Sequence, residues 1–225
     1  MINNFNVPQI NPANPEIPAV IADRLGPYRE VFSQLVDVTL GVPGIDAMVL
    51  TGSRSPKLPR RYINETSDLD LYWIAENDDR RQALLAGIGK VLSHNDRFPD
   101  YFGGSPYDYW WMGNYQDMEV GVNVFERGGL LKMAQEAYQY REIYEKRSGF
   151  LQHKIVEAVP LLLQSEEISQ ASEVALNIPE PFRLQLLAYY GRLLNLQVTG
   201  ARGHFKNFFE FMSDLGGQNG ILATI

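Results

Sequence analysis

The chain has 225 residues, enough for one large domain or two small ones with a sizeable core. It contains no cysteine, which excludes disulfides and thiol catalysis, and its net charge of −7 argues against a protein that coats nucleic acid. No apolar run approaches the roughly 18–20 residues of a membrane span, and the first residues lack a secretory signal pattern, so we expect a cytoplasmic location without a membrane partner.

Residues 1–19 carry four prolines among several asparagines, which predicts an extended N-terminal arm. Apolar residues at helical spacing follow and predict one helix from Val20 to Leu40. Gly41 and Pro43 then stop that helix.

A short apolar run from Ile45 to Thr51 predicts a buried strand. Gly52 ends this run and lets a ligand approach the backbone closely. Ser53 adds a hydroxyl where backbone N–H groups can be free. This strand end is therefore a candidate anion-binding position.

A second apolar run, Leu69 to Ala75, predicts another strand. Asp68 and Asp70 are two residues apart and share one face of it, while the leucines that alternate with them face the core. Two neighbouring carboxylates repel unless a positive charge lies between them. The usual solution is a divalent cation with oxygen ligands, above all Mg²⁺ when phosphates are present.

Beyond this strand, Asn77 or Asp78 is expected to cap a helix, and an aromatic strand is expected over Tyr107 to Met112. Residues 114–117 are interpreted as a turn. The alternation from Met118 to Phe125 predicts the clearest strand of the chain, with its valines facing the core. Glu119 and Gly121 lie on its other face, where the glycine is interpreted as leaving room for a ligand.

From Gly129 onwards the pattern favours helices up to the end of the chain. The first is expected from Leu130 to about Leu163, and two more follow Pro179 and His204. The three histidines, His94, His153 and His204, form no spaced ligand set, so structural or surface roles are favoured for them.

The strand ending in Gly52-Ser53, the spacer and Asp68-Leu69-Asp70-Leu71 resemble the signature of the polymerase-beta-like nucleotidyltransferase superfamily. The spacer from Arg54 to Ser67 is longer than the common form. The family begins a helix after Gly-Ser, but Pro59 would interrupt it here. We therefore expect that helix to be shortened, displaced or replaced by an ordered loop.

The resemblance implies transfer of a nucleoside monophosphate, with AMP favoured, from a nucleoside triphosphate to a hydroxyl, with two Mg²⁺ ions held by Asp68, Asp70 and a third acid. Glu119 is the first candidate for that acid, as metal ligand or as general base. Asp117 is the second candidate and Asp108 the third. Gly52, Ser53 and Arg54 are the predicted nucleotide-binding residues. Arg54 is the most favoured phosphate contact in a basic spacer that also contains Lys57, Arg60 and Arg61.

The predicted fold class is α+β, a small nucleotidyltransferase-type mixed sheet with flanking helices plus a C-terminal helical bundle. The expected division is the arm at 1–19, the core at 20–127 and a helical domain at 128–225. This plan is similar to that of antibiotic nucleotidyltransferases, which modify hydroxyls of aminoglycosides or lincosamides and confer antibiotic resistance, and an acidic chain suits a small cationic acceptor. Antitoxin-like members that modify or sequester a partner protein, and a silent nucleotide-binding module, are the alternatives. A homo-oligomer is compatible with the sequence.

Overall fold

The computed structural model describes residues 7–58, 60–64, 67–95, 108–136, 155–163 and 165–177. The predicted helices after Pro179 and His204, and most of the predicted helix from Leu130, lie outside these ranges. The described part of the chain up to Leu176 belongs to one compact unit. It contains both helices and strands, so the chain is of the α+β type predicted.

Two helices replace the single helix that was predicted from Val20 to Leu40. Helix α1 spans Ala19–Leu25 and α2 spans Arg29–Gly41, with a 3₁₀ turn at Gly26–Tyr28 between them. The break has a local cause, since Gly26 has a φ of 56° and Pro27 lacks the N–H that a continuous helix would use. Helix α3, Asp78–Val91, begins as predicted, because the Asn77 side chain accepts a hydrogen bond from the Arg80 N–H.

Six strands of the described chain form one mixed sheet. They are β1 (Ile45–Thr51), β2 (Leu69–Ala75), β3 (Ser93–His94), β4 (Asp108–Tyr115), β5 (Met118–Glu126) and β6 (Val159–Leu162). The strand order is β3-β4-β5-β2-β1-β6, and β2 and β5 are parallel while the other neighbours are antiparallel. The predicted bounds of β1 and β2 are confirmed, and β5 ends one residue later than predicted. The strand β4 ends three residues after the predicted bound, and Tyr107, where it was predicted to begin, lies outside the described residues.

Both faces of the sheet are buried. On the first face, Leu71, Trp73 and Val122 join the apolar side chains of α1, α2 and α3 in one core cluster. On the second face, Tyr72 and Phe125 are also fully buried. Helices α4, Gly129–Glu136, and α5, Glu166–Leu176, pack on each other in the same unit, and α4 contacts β5.

The strand β6 corrects the expectation that the chain is helical throughout after Gly129. It pairs with β1 at the edge of the sheet, so the sheet extends beyond residue 127, where the core was predicted to end. Pro160 explains why this segment is not helical, since proline breaks helix interiors but is tolerated on edge strands. The N-terminal arm follows the same edge, where buried Ile10 donates its N–H to the Leu161 carbonyl at 2.7 Å.

Within the described ranges, every helix is too short or too polar to cross a bilayer.

Candidate active site

The two halves of the predicted motif meet because β1 and β2 are antiparallel neighbours. Thr51, the last residue of β1, pairs with Asp70 of β2. Gly52 then begins a 3₁₀ turn, Gly52–Arg54, with a φ of 68° that only glycine adopts readily. This turn and a second one at Arg60–Tyr62 lie where a helix would have followed the Gly-Ser pair, and Pro59 predicted that such a helix would be shortened or replaced.

The carboxylate of Asp70 lies between two glycines. A Cβ on Gly121 would stand 2.6 Å from Asp70 Oδ1, and a Cβ on Gly52 would overlap Oδ2. Gly121 is the direct neighbour of Asp70 in the parallel β2–β5 pair. The space at Gly121, which was predicted to admit a ligand, is therefore occupied by the Asp70 side chain itself.

Asp68 and Glu119 lie at the same level on neighbouring strands. Leu69 pairs with Val120, so the parallel register brings the preceding residues, Asp68 and Glu119, side by side. Both side chains are half-buried. They also share a neighbour: burial raises the pKa of the Tyr28 hydroxyl, and the negative charges of Asp68 and Glu119 raise it further against the opposing effect of Arg54.

Glu119 is held by an amide from the neighbouring strand region. Asn95 is 3% exposed, and its Nδ2 donates to Glu119 Oε1 at 3.3 Å and to Asn114 Oδ1 at 3.0 Å. Nothing in the sequence pattern marked Asn95, because it follows the two-residue strand β3 and reaches Glu119 only through the pairing of β4 with β5. The other two candidate acids lie elsewhere: Asp117 is exposed in the β4–β5 turn, and Asp108 begins β4 opposite Phe125, far along β5 from Gly121.

The described carboxylates are the side chains at this site that could hold a metal ion. Among the described residues, no three His, Cys, Asp or Glu side chains are grouped to hold a metal ion. Mg²⁺, however, is usually held by one or two carboxylates together with substrate phosphates and water. Asp68 and Asp70 fit that pattern as a pair, whereas Glu119 does not complete a three-carboxylate group.

Arg54, which was predicted to contact phosphate, is bonded to the protein's own main chain. Its side chain is buried, with 5% exposure, and its guanidinium carbon lies 4.4 Å from the ring centroid of Tyr28. The guanidinium donates four hydrogen bonds of 2.8 to 3.1 Å, all to main-chain carbonyls: those of Arg24, Leu25, Ser67 and Asp68. The geometry thus makes Arg54 a clamp that joins the Gly52–Arg54 turn to the start of β2.

Two further basic residues of the spacer, Lys57 and Arg60, contact groups other than the two aspartates of the motif. Lys57 donates to the Val156 carbonyl at 3.2 Å, and burial lowers its pKa while Glu157 opposes that shift. Arg60 forms an ion pair with Asp23 at 3.1 Å, in which both side chains are largely exposed. Part of the positive charge of the spacer therefore serves structural contacts, as at Lys57, or lies in an exposed ion pair, as at Arg60. Composition alone cannot separate such residues from phosphate ligands.

Three polar side chains near the aspartates have atoms that are buried and without a hydrogen-bond partner in the described part of the chain: Ser53 Oγ, Tyr72 Oη and both polar atoms of Asn123. Ser53 was predicted as a phosphate contact. Tyr72 and Asn123 were not predicted, although the alternation of β2 and β5 places them on the same face as Asp70 and Gly121.

Comparison with known proteins adds no family assignment. The chain matches no protein-family model and no curated protein sequence.

Proposed function

We propose that the chain is a Mg²⁺-dependent nucleotidyltransferase that moves a nucleoside monophosphate, AMP by preference, from a nucleoside triphosphate to a hydroxyl acceptor. The observation that carries the proposal is the packing of the Asp70 carboxylate against the Gly52 turn, with Asp68 on the same face. A glycine-serine turn beside paired carboxylates supplies both partners that a triphosphate needs, hydrogen-bond donors and metal ligands.

In this proposal each residue has a separate task. Asp68 and Asp70 hold Mg²⁺, which when bound neutralises charge on the phosphate oxygens. Ser53 and the N–H groups of its turn donate to the outer phosphates. Glu119 accepts the proton of the acceptor hydroxyl while the hydroxyl oxygen bonds to the α-phosphorus. The bond from the α-phosphorus to the oxygen that bridges it to the β-phosphorus breaks, and pyrophosphate leaves.

The acceptor class follows from charge. A chain with a net charge of −7 favours a cationic acceptor by complementarity, so we propose a small, positively charged alcohol of the aminoglycoside or lincosamide kind.

The alternative is a nucleotide-binding module without turnover, which acts by sequestering a partner protein. Two observations favour it: the described carboxylates do not form a group of three, and Glu119 accepts a hydrogen bond from Asn95. The two proposals differ in whether pyrophosphate is released.

The test is a turnover assay. The purified chain would be incubated with Mg²⁺, each of the four nucleoside triphosphates and a panel of aminoglycosides and lincosamides, with pyrophosphate release and acceptor mass as readouts. Asp68→Asn is expected to abolish the product, and Asp37→Asn, an exposed residue of α2, is the matched control. Nucleotide binding without pyrophosphate release or any mass increase would support the alternative.

A further inference from the structure

We propose that Tyr72 and Asn123 form a neutral polar subsite next to Asp70 that binds a hydroxyl group of a substrate. This inference deepens the proposed function and rests on it, because it assumes that a substrate is held at Asp70. The hydroxyl can come from the ribose of the nucleotide or from the acceptor.

The sheet register places this subsite. Tyr72 pairs with Asn123 on the parallel strands β2 and β5, immediately after the pair formed by Asp70 and Gly121. Residues two apart on a strand face the same side and lie about 6.6 Å from each other. The two polar side chains therefore stand one row along from the Asp70 carboxylate, on the same face of the sheet.

Both side chains are buried, and their polar atoms lack hydrogen-bond partners among the described residues. Tyr72 is 0% and Asn123 1% exposed, yet the described residues offer no hydrogen-bond partner to Tyr72 Oη or to either polar atom of Asn123. Buried polar atoms are nearly always hydrogen-bonded, since leaving one unpaired costs free energy that folding must offset. Three unpaired atoms on adjacent residues indicate a missing partner.

The chemistry of these atoms selects an uncharged partner. A tyrosine hydroxyl is protonated at neutral pH, so the Tyr72 phenol can donate. Asn123 offers a donor and an acceptor, and neither side chain carries a charge that would offset burial of an ion. A hydroxyl both donates and accepts, so it satisfies this pair.

The test uses variants that remove the polar atoms but keep the shape. Tyr72→Phe removes only the hydroxyl, and Asn123→Leu removes the amide with a similar volume. Tyr115→Phe is the control, because the Tyr115 hydroxyl already accepts from Gln34 Nε2 at 3.1 Å. The probes are ATP, 2′-deoxy-ATP and 3′-deoxy-ATP with Mg²⁺, and separately glycerol, glucose and kanamycin, with affinity measured by thermal shift and calorimetry.

Because removal of an unpaired buried group relieves a cost, Tyr72→Phe is expected to keep or raise the melting temperature of the free protein. It is also expected to lower the affinity for one of the probes about fivefold, which is the contribution of a typical hydrogen bond. If the loss falls on ATP and disappears with one deoxynucleotide, the hydroxyl belongs to the ribose. If it falls on a polyol and spares ATP, the hydroxyl belongs to the acceptor. Polyols also stabilise folded proteins without binding to a site, and that effect would raise the melting temperature equally in wild type and in the Tyr115→Phe control.

Unchanged affinity for every probe in both Tyr72→Phe and Asn123→Leu would overturn the proposal. A lower melting temperature in that case would identify buried water as the partner. Failure of the proposed function is a separate result, because it would show as wild-type protein that binds none of the three nucleotides.

Discussion

The carboxylate of Asp70 rests against the backbone of Gly121, so that a Cβ at position 121 would stand 2.6 Å from Asp70 Oδ1. Gly52 leaves the same kind of space for Oδ2 on the other side. The two glycines thus fix where this carboxylate lies relative to the turn that carries Ser53. The site depends on the absence of two side chains as much as on the presence of the aspartates.

Gly121→Ala is therefore expected to displace the Asp70 carboxylate. We expect overpacking to lower stability by about 1–3 kcal/mol and turnover to fall about tenfold or more, since small misplacements at a reaction centre are costly. The control is Gly89→Ala on α3, where an added Cβ meets nothing within 4 Å. That variant should gain about 0.5–1 kcal/mol. Full turnover in Gly121→Ala would show that the position of Asp70 does not matter.

Arg54→Lys distinguishes a clamp from a phosphate contact. Lysine cannot reach four carbonyls, so we expect denaturant unfolding to show a loss of about 3 kcal/mol. Arg60→Lys, in an exposed ion pair, should change stability by no more than about 0.5 kcal/mol. If Arg54→Lys kept its stability but lost affinity for ATP, Arg54 would be a phosphate contact and not a structural clamp.

Tyr72 is expected to make stability fall in alkali. Its folded pKa is raised above its ordinary value of 10.0, so its contribution is fully present below pH 10 and is lost as pH rises from there toward the folded pKa. Relative to Tyr72→Phe, the wild type should lose about 1.4 kcal/mol per pH unit above pH 10. Parallel stability curves for the two proteins between pH 9 and 11 would contradict this.

Much of the fold follows from local patterns. The runs that form β1 and β2 and the alternation of β5 are unambiguous. The sequence left the cap of α3 open between Asn77 and Asp78, and the structure shows Asn77. The strand β6 is different, because a four-residue apolar run fits either a helix or a strand until its partner is known. Its partner, β1, lies more than a hundred residues earlier in the chain.

The site was predictable to a lesser degree. Strand alternation was enough to place Asp68, Asp70, Glu119 and Gly121 on one face, but not to show what Gly121 accommodates. The role of Arg54 depends on carbonyls from two separate segments, residues 24–25 and 67–68. The role of Asn95 depends on the pairing of β4 with β5. Such contacts arise from tertiary structure and leave no periodic trace in the sequence.

Glu119→Gln tests which task the third acid performs. Because Glu119 does not group with the two aspartates, we expect it to act as the base. Turnover should then fall by about 10²–10⁴-fold while ATP affinity changes little. Steady-state kinetics and calorimetry separate the two quantities. An equal fall in both would make Glu119 a metal ligand, and no change in either would make Asp117 the candidate.

The most direct test of the central claim is the thermal shift produced by ATP with Mg²⁺ in wild type and in Asp70→Asn. The variant keeps the side-chain shape that fits between Gly52 and Gly121 but removes the charge. At about 100 times the Kd, the wild-type melting temperature should rise by roughly 5 °C or more, as should that of the Asp37→Asn control. The shift should vanish in Asp70→Asn. An equal shift in Asp70→Asn, or none in the wild type with any nucleoside triphosphate, would contradict the assignment of a nucleotide site to these carboxylates.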